Sequence, residues 1–227
     1  MVKVTFHGHS CFGFQTDKHS IIVDPYLSGN PHAKTKPEDI KVEAVLLTHG
    51  HGDHIGDGIE IAKANNAVII APFELATFCQ EQGAEAHPMH IGGSFDFAFG
   101  RVTLTIAHHG SGLSTDKGIL YLGNPCGFVV NFEGRNVYHA GDTGLFYDMK
   151  LIGEMYPLDL ALLPIGSNFT MGIPEAVKAV ELLAPNNVIP MHYNTFDVIK
   201  QNPEEFISRL PETVKGTVLN VGESFEL

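Results

Sequence analysis

The stretch VLLTHGHGDHIG, Val45 to Gly56, constrains this chain more than any other. It begins as an apolar run of the kind that forms a buried strand, then delivers His49, His51, Asp53 and His54 in quick succession. Glycines at 50 and 52 argue against a helix here. The spacing is therefore not the one that sets two ligand histidines four apart on a single helical face. In an extended chain, residues two apart point the same way, so His49 and His51 can address one metal ion. Asp53 and His54, past a turn, can address a second. Imidazoles crowded together at neutral pH need partners for their ring nitrogens, and a cation can serve several at once.

Four donors from one loop cannot close two metal sites. Further ligands are expected where other strands leave a sheet, the usual gathering place in α/β proteins. LTIAHHGSG offers His108 and His109, VYHAGDTG offers Asp142 at a glycine-flanked turn, and VIPMHYN offers His192.

The rest of the chain supplies the frame. VKVTF, CFGFQ and SIIVDP read as successive strands, followed by EAVLLT leading into the histidine loop. A helix over 57–65, the strand AVIIA and a helix over 73–82 come next. The middle is strand-rich, with SFDFAF, RVTLTIA, GILYLG, GFVVNF and NVYHA. Helices over 145–154, 174–184 and 203–209 then alternate with the strands DLALLPI and NVIPMH, and strands close the chain between 214 and 226. Strands apolar on both faces next to helices, and an alternating antiparallel middle, predict two mixed sheets packed face to face with helices outside. No linker-like or low-complexity stretch interrupts 1–227, so one domain is expected.

Composition limits the partners. A net charge of −12 and only three arginines (Arg101, Arg135, Arg209) leave no basic track for a polyphosphate. Nucleic acid is thus disfavoured as a substrate, and a small molecule held near bound cations is expected. No apolar run approaches the roughly 20 residues of a membrane helix, and MVKVTFHGHS reads as a strand rather than a signal peptide. Cys11, Cys79 and Cys126 are odd in number and far apart, which fits reduced thiols in the cytoplasm.

THGHGDH, a later histidine, GDT and a final histidine, in this order, resemble the metallo-β-lactamase superfamily. With GHS near the start, VDP, APFELATF, HPMHIGG, PIGSNFTMG and MHYNTF, the whole length resembles a family of uncharacterised metal-dependent hydrolases similar to ascorbate-6-phosphate lactonase. The resemblance implies a four-layer αββα sandwich with a dinuclear site at one edge. It implies that His49, His51 and His109 hold the first metal, that Asp53, His54 and His192 hold the second, and that Asp142 bridges them. His109 is preferred over His108 because HHGSG matches the family's histidine followed by Gly-Ser. Asp24 is expected to orient a ligand histidine, with His139 in a similar supporting role and His9 near the cavity. Asn168, Thr170 and Tyr193 are candidates for the pocket wall.

Nitrogen donors with carboxylates suit zinc, while manganese or iron fits the same set. Two such ions about 3.5–4 Å apart can share a water, ionise it near neutrality and polarise the attacked group. The expected activity is hydrolysis of a small ester, lactone or phosphodiester, with Asp53 both ligand and orienter of the attacking water. A nuclease within the same superfamily and a non-hydrolytic di-iron redox protein are the alternatives; a metal-binding module without catalysis would need a closed site.

Overall fold

The computed structural model describes all residues from Met1 to Leu227. In chain order the strands are β1 Lys3–Gly8, β2 Cys11–Gln15, β3 Ser20–Val23, β4 Ala44–Leu46, β5 Val68–Pro72, β6 Ala86–Met89, β7 Ser94–Phe97, β8 Gly100–Ile106, β9 Gly112–Thr115, β10 Gly118–Tyr121, β11 Cys126–Phe132, β12 Arg135–His139, β13 Leu160–Pro164, β14 Asn187–Met191, β15 Lys215–Gly216 and β16 Ser224–Glu226. The helices are α1 Gly52–Ile55, α2 Gly58–Asn65, α3 Phe73–Glu81, α4 Met149–Met155, α5 Ile173–Leu183 and α6 Pro203–Ser208.

Two seven-stranded sheets form, in the orders β16-β1-β2-β3-β4-β5-β6 and β15-β14-β13-β12-β11-β8-β7. Each is mixed. In the first, β3 through β6 run parallel; in the second, β12 through β15 do. The period of two along each strand sorts the side chains into layers. Leu46, Val23 and Phe12 of the first sheet meet Leu104, Phe128 and Leu162 of the second between the sheets. Val45 and Leu47 point the other way, onto Ile61 of α2 and Leu75 of α3. Ala161 and Leu163 likewise meet Ala176, Ala179 and Val180 of α5. The apolar positions of α5 recur at helical spacing, and the Gly172 N–H at its start donates to Glu175. The result is the αββα sandwich.

Three sequence expectations change. Gly52–Ile55 is one turn of helix, despite the glycines, because it starts only after His51, whose backbone is still extended. The helix expected from 145 begins at Met149. The strands β6 and β9 were not anticipated. β9 pairs only with β10, in a two-stranded hairpin that belongs to neither main sheet.

Candidate metal centre

Strand direction brings the donors together. β3, β4, β12 and β14 end in Asp24, the His49–His54 segment, Asp142 and His192, respectively, all at the carboxyl end of a parallel run. β1 lies two antiparallel steps from β3, and β8 two such steps from β12, so both run toward the same edge. His9 and His109, which follow them, arrive there too. Backbone hydrogen bonds stitch the two sheets at this edge: His192 N–H to the His9 carbonyl (2.8 Å) and Cys126 N–H to the Thr48 carbonyl (3.0 Å).

His49, His51 and His109 form one group of convergent donors. His49 Nε2 lies 3.0 Å and His109 Nε2 3.2 Å from His51 Nδ1. Nitrogens sharing a tetrahedral zinc at about 2.0–2.1 Å sit about 3.3 Å apart, so this spacing suits one ion. His9, Asp53, His54 and His192 form a second group. Asp142 touches both, with Oδ2 2.9 Å from His192 Nε2 and 3.5 Å from His109 Nε2, and Oδ1 3.3 Å from His54 Nε2.

The ring orientations are set from behind. Asp24 is fully buried and accepts from Thr48 N–H (2.8 Å), Thr48 Oγ1–H (2.7 Å) and His54 Nδ1–H (2.7 Å). With its hydroxyl hydrogen given to Asp24, Thr48 accepts from His49 Nδ1–H at 2.8 Å. His49 is thereby left with a bare Nε2 facing the centre, and the bond to Asp24 turns the His54 Nε2 toward the same point.

Electrostatics give the same picture. Burial, reinforced by the neighbouring His54, holds the His49 pKa well below the usual imidazole value. Burial also opposes charge on His54, yet Asp142 and Asp24 raise its pKa well above that value. Burial works against ionising Asp142 as well, but His192 and His54 keep it well below the carboxylate range. Asp142 and Asp53, both with pKa values held below the carboxylate range, demand positive charge nearby. His54 Nε2 and Asp142 Oδ1 are buried and make no hydrogen bond. Imidazole nitrogens and carboxylate oxygens, orphaned and converging, fit divalent metal ions.

The remaining sequence candidates fall in several places. Of the doublet, His109 faces His51, while His108 is exposed and packs near Phe146 (ring centroids 5.1 Å apart). His9 is buried and reaches Asp53. His139 spends both ring nitrogens on backbone, its Nε2 on the Ser10 carbonyl and its Nδ1 on the Gly141 N–H. A cavity of about 440 Å³ opens beside the donors, lined by His51, Gly52, Asp53, Gly112, Leu113, Ser114 and Phe196. Asn168, Thr170 and Tyr193 are not among them. Asn168 is exposed, Thr170 bonds within its own turn, and Tyr193 lines a separate cavity behind His9.

Sequence reading missed Thr48 and Thr195, which orient His49 and His9, and Ser111, whose Oγ accepts from the Gly50 N–H at 2.9 Å. Thr48 was legible in principle, as a polar residue ending a core strand one step before a candidate ligand.

Comparison with known proteins agrees with this arrangement. A profile of the beta-lactamase superfamily domain matches residues 19–193. A UPF0173 metal-dependent hydrolase of Geobacillus sp. (strain WCH70) is 55% identical over 227 residues, all of both chains. Another from Bacillus cereus (strain B4264) is 54% identical over 228 aligned positions, again with both chains fully covered. Among solved structures, the metallo hydrolase Igni18 from Ignicoccus hospitalis KIN4/I superposes with a TM-score of 0.90 at 38% identity, covering 100% of this chain and 99% of its own. The diiron β-hydroxylase CmlA from Streptomyces venezuelae shares the fold at 15% identity and a TM-score of 0.79, over 54% of its length. With a sandwich of this topology, donors gathered at one edge and full-length relatives above half identity, the chain belongs to the beta-lactamase superfamily and, within it, to the UPF0173 metal-dependent hydrolase family.

Proposed function

We propose that this protein is a hydrolase of a small ester, lactone or phosphodiester that works with two divalent cations, zinc by preference and manganese or iron compatibly. His49, His51 and His109 would hold one ion, Asp53, His54 and His192 the other, with Asp142 shared between them. The observation that carries the reading is Asp142, a buried carboxylate within 3.5 Å of nitrogens from both donor groups. When bound, the ions supply an ionised water near neutral pH and a positive field at the attacked group.

The chain's own residues do the rest. Asp24 and Thr48 fix the tautomers of His54 and His49, so the centre is preorganised. Asp53 is the most exposed of the carboxylates at the centre and borders the cavity, where it can accept a hydrogen bond from the attacking water and later pass on its proton. Its pKa is lowered: burial opposes ionisation, but the hydrogen bond from His9 and the charge of His54 outweigh it.

Against a nuclease stand the charge of −12 and the commitment of all three arginines, Arg101 to Asp96, Arg135 to Asp159 and Arg209 to Glu205. We read residues 1–227 as one domain acting in the cytoplasm, where its three free, buried cysteines fit a reducing setting. Elemental analysis, joined to an ester, lactone and phosphodiester panel before and after chelation, tests the proposal. Activity that is lost with the metal and regained with zinc, manganese or iron is expected; hydrolysis indifferent to chelation overturns it.

A further inference from the structure

We infer that the substrate of this centre is a neutral molecule with an apolar arm, and that Leu113 and Phe196 form the subsite for that arm. The inference rests on the hydrolase reading above and narrows it. The cavity beside His51 and Asp53 has two apolar walls, Leu113 on β9 and Phe196 after the His192 turn, with Gly112 and Ser114 completing that side. Leu113 is half-buried against the apolar cluster under α2 and α3, and the Phe196 ring stands edge-on to His9 at 5.4 Å. Apolar walls with polar groups at one end are what a small-molecule site needs to bind an arm and aim its reacting bond.

The same lining lacks what an anionic arm needs. None of its residues is Lys or Arg. The protein's arginines are all paired with carboxylates elsewhere, and Lys36, Lys150, Lys178 and Lys200 each lie beside an acidic side chain. Lys117, at the exposed tip of the β9–β10 hairpin, is the nearest cation along the chain to this lining. A phosphate carried away from the reacting bond would find no fixed partner there, in a protein of net charge −12. On the hairpin's other strand Leu120, exposed, is paired directly opposite Leu113.

The test uses the metal-loaded, full-length protein. Hydrolysis of p-nitrophenyl hexanoate is compared with that of the acetate, and glucono-1,5-lactone with its 6-phosphate. At least a tenfold gain in kcat/KM for hexanoate over acetate is expected, since buried methylenes favour binding. The phosphate should bring no gain. In Leu113→Ala and Phe196→Ala the hexanoate-to-acetate ratio should fall toward one. In parallel, calorimetric titration with hexanoate and acetate asks the same question without turnover, and hexanoate should bind at least tenfold more tightly. Equal affinity for the two acids, or a tenfold preference for the phosphorylated lactone, overturns the subsite. If metal-replete protein cleaves a phosphodiester but no ester or lactone, the subsite inference fails and the hydrolase reading stands; if it cleaves none of the three, both fail.

Discussion

His9 Nε2 lies 3.0 Å from Asp53 Oδ2, while His9 Nδ1 lies 2.8 Å from Thr195 Oγ1. An ionised carboxylate only accepts, so the His9 proton sits on Nε2 and Thr195 donates to Nδ1. The pair joins the first half of the chain to the loop after His192. It also holds Asp53, one of two candidate ligands on the short helix Gly52–Ile55. Burial lowers the His9 pKa to about 4, so it is neutral at physiological pH and acts here as a hydrogen-bond donor. His9→Ala is expected to weaken metal affinity by about ten- to a hundredfold, the usual cost of losing a group that orients a ligand. Stoichiometry should stay at two, and His9→Gln should recover part of the loss. Titration against a competing chelator measures this, and loss of a full equivalent of metal in His9→Ala would instead make His9 a ligand.

Asp142 is the shared carboxylate in the proposal, so its removal should affect both ions. Purified protein is expected to carry close to two metals per chain, and Asp142→Ala to lose them. Elemental analysis finding one tightly held metal, unchanged in the variant, rules out the dinuclear arrangement.

The His108–His109 doublet offers an internal control. Because His109 faces His51 and His108 is exposed, His109→Ala should lose metal and activity while His108→Ala keeps its metal. Metal content of the two variants, measured side by side, decides the register.

Asp53→Asn keeps an oxygen donor but loses the charge that accepts a proton. Turnover on any cleaved substrate should fall about a hundredfold or more, the range supplied by a positioned acid–base group. KM should change less, because ground-state binding does not need that charge. Near wild-type kcat in metal-replete Asp53→Asn would remove Asp53 from the chemistry.

Gly56 ends α1 with φ +44° and ψ −122°, a conformation closed to side chains. A Cβ there would stand 2.4 Å from the Pro25 carbonyl oxygen, next to Asp24. Gly56→Ala should cost about 2–3 kcal/mol by backbone strain and overpacking. Urea denaturation with an unchanged slope and a lower midpoint would register it; an unaltered midpoint would mean that the Pro25 loop yields freely.

Most of the layer order was legible in residue order, because burial demands a local pattern. Leu46 faces the inner core and Val45 and Leu47 the helices for the same reason that the run is apolar throughout: the strand is covered on both sides. The donors were legible too, since glycines and polar groups at the ends of apolar runs have few other uses. Their pairing was another matter. Asp24 and His54 are 30 positions apart and His9 and Asp53 are 44 apart, and nothing in the spacing announces either contact. Those contacts exist because β1, β3, β4, β8, β12 and β14 all run toward one edge, and strand polarity is a property of the assembled sheets. The same holds for α1, where the backbone turns helical only after His51, and for the β9–β10 hairpin, which lies outside both main sheets. Residue order determined which side chains would line an edge; tertiary structure decided which nitrogen faces which oxygen, because tautomer and orientation depend on hydrogen bonds formed only after the sheets have closed.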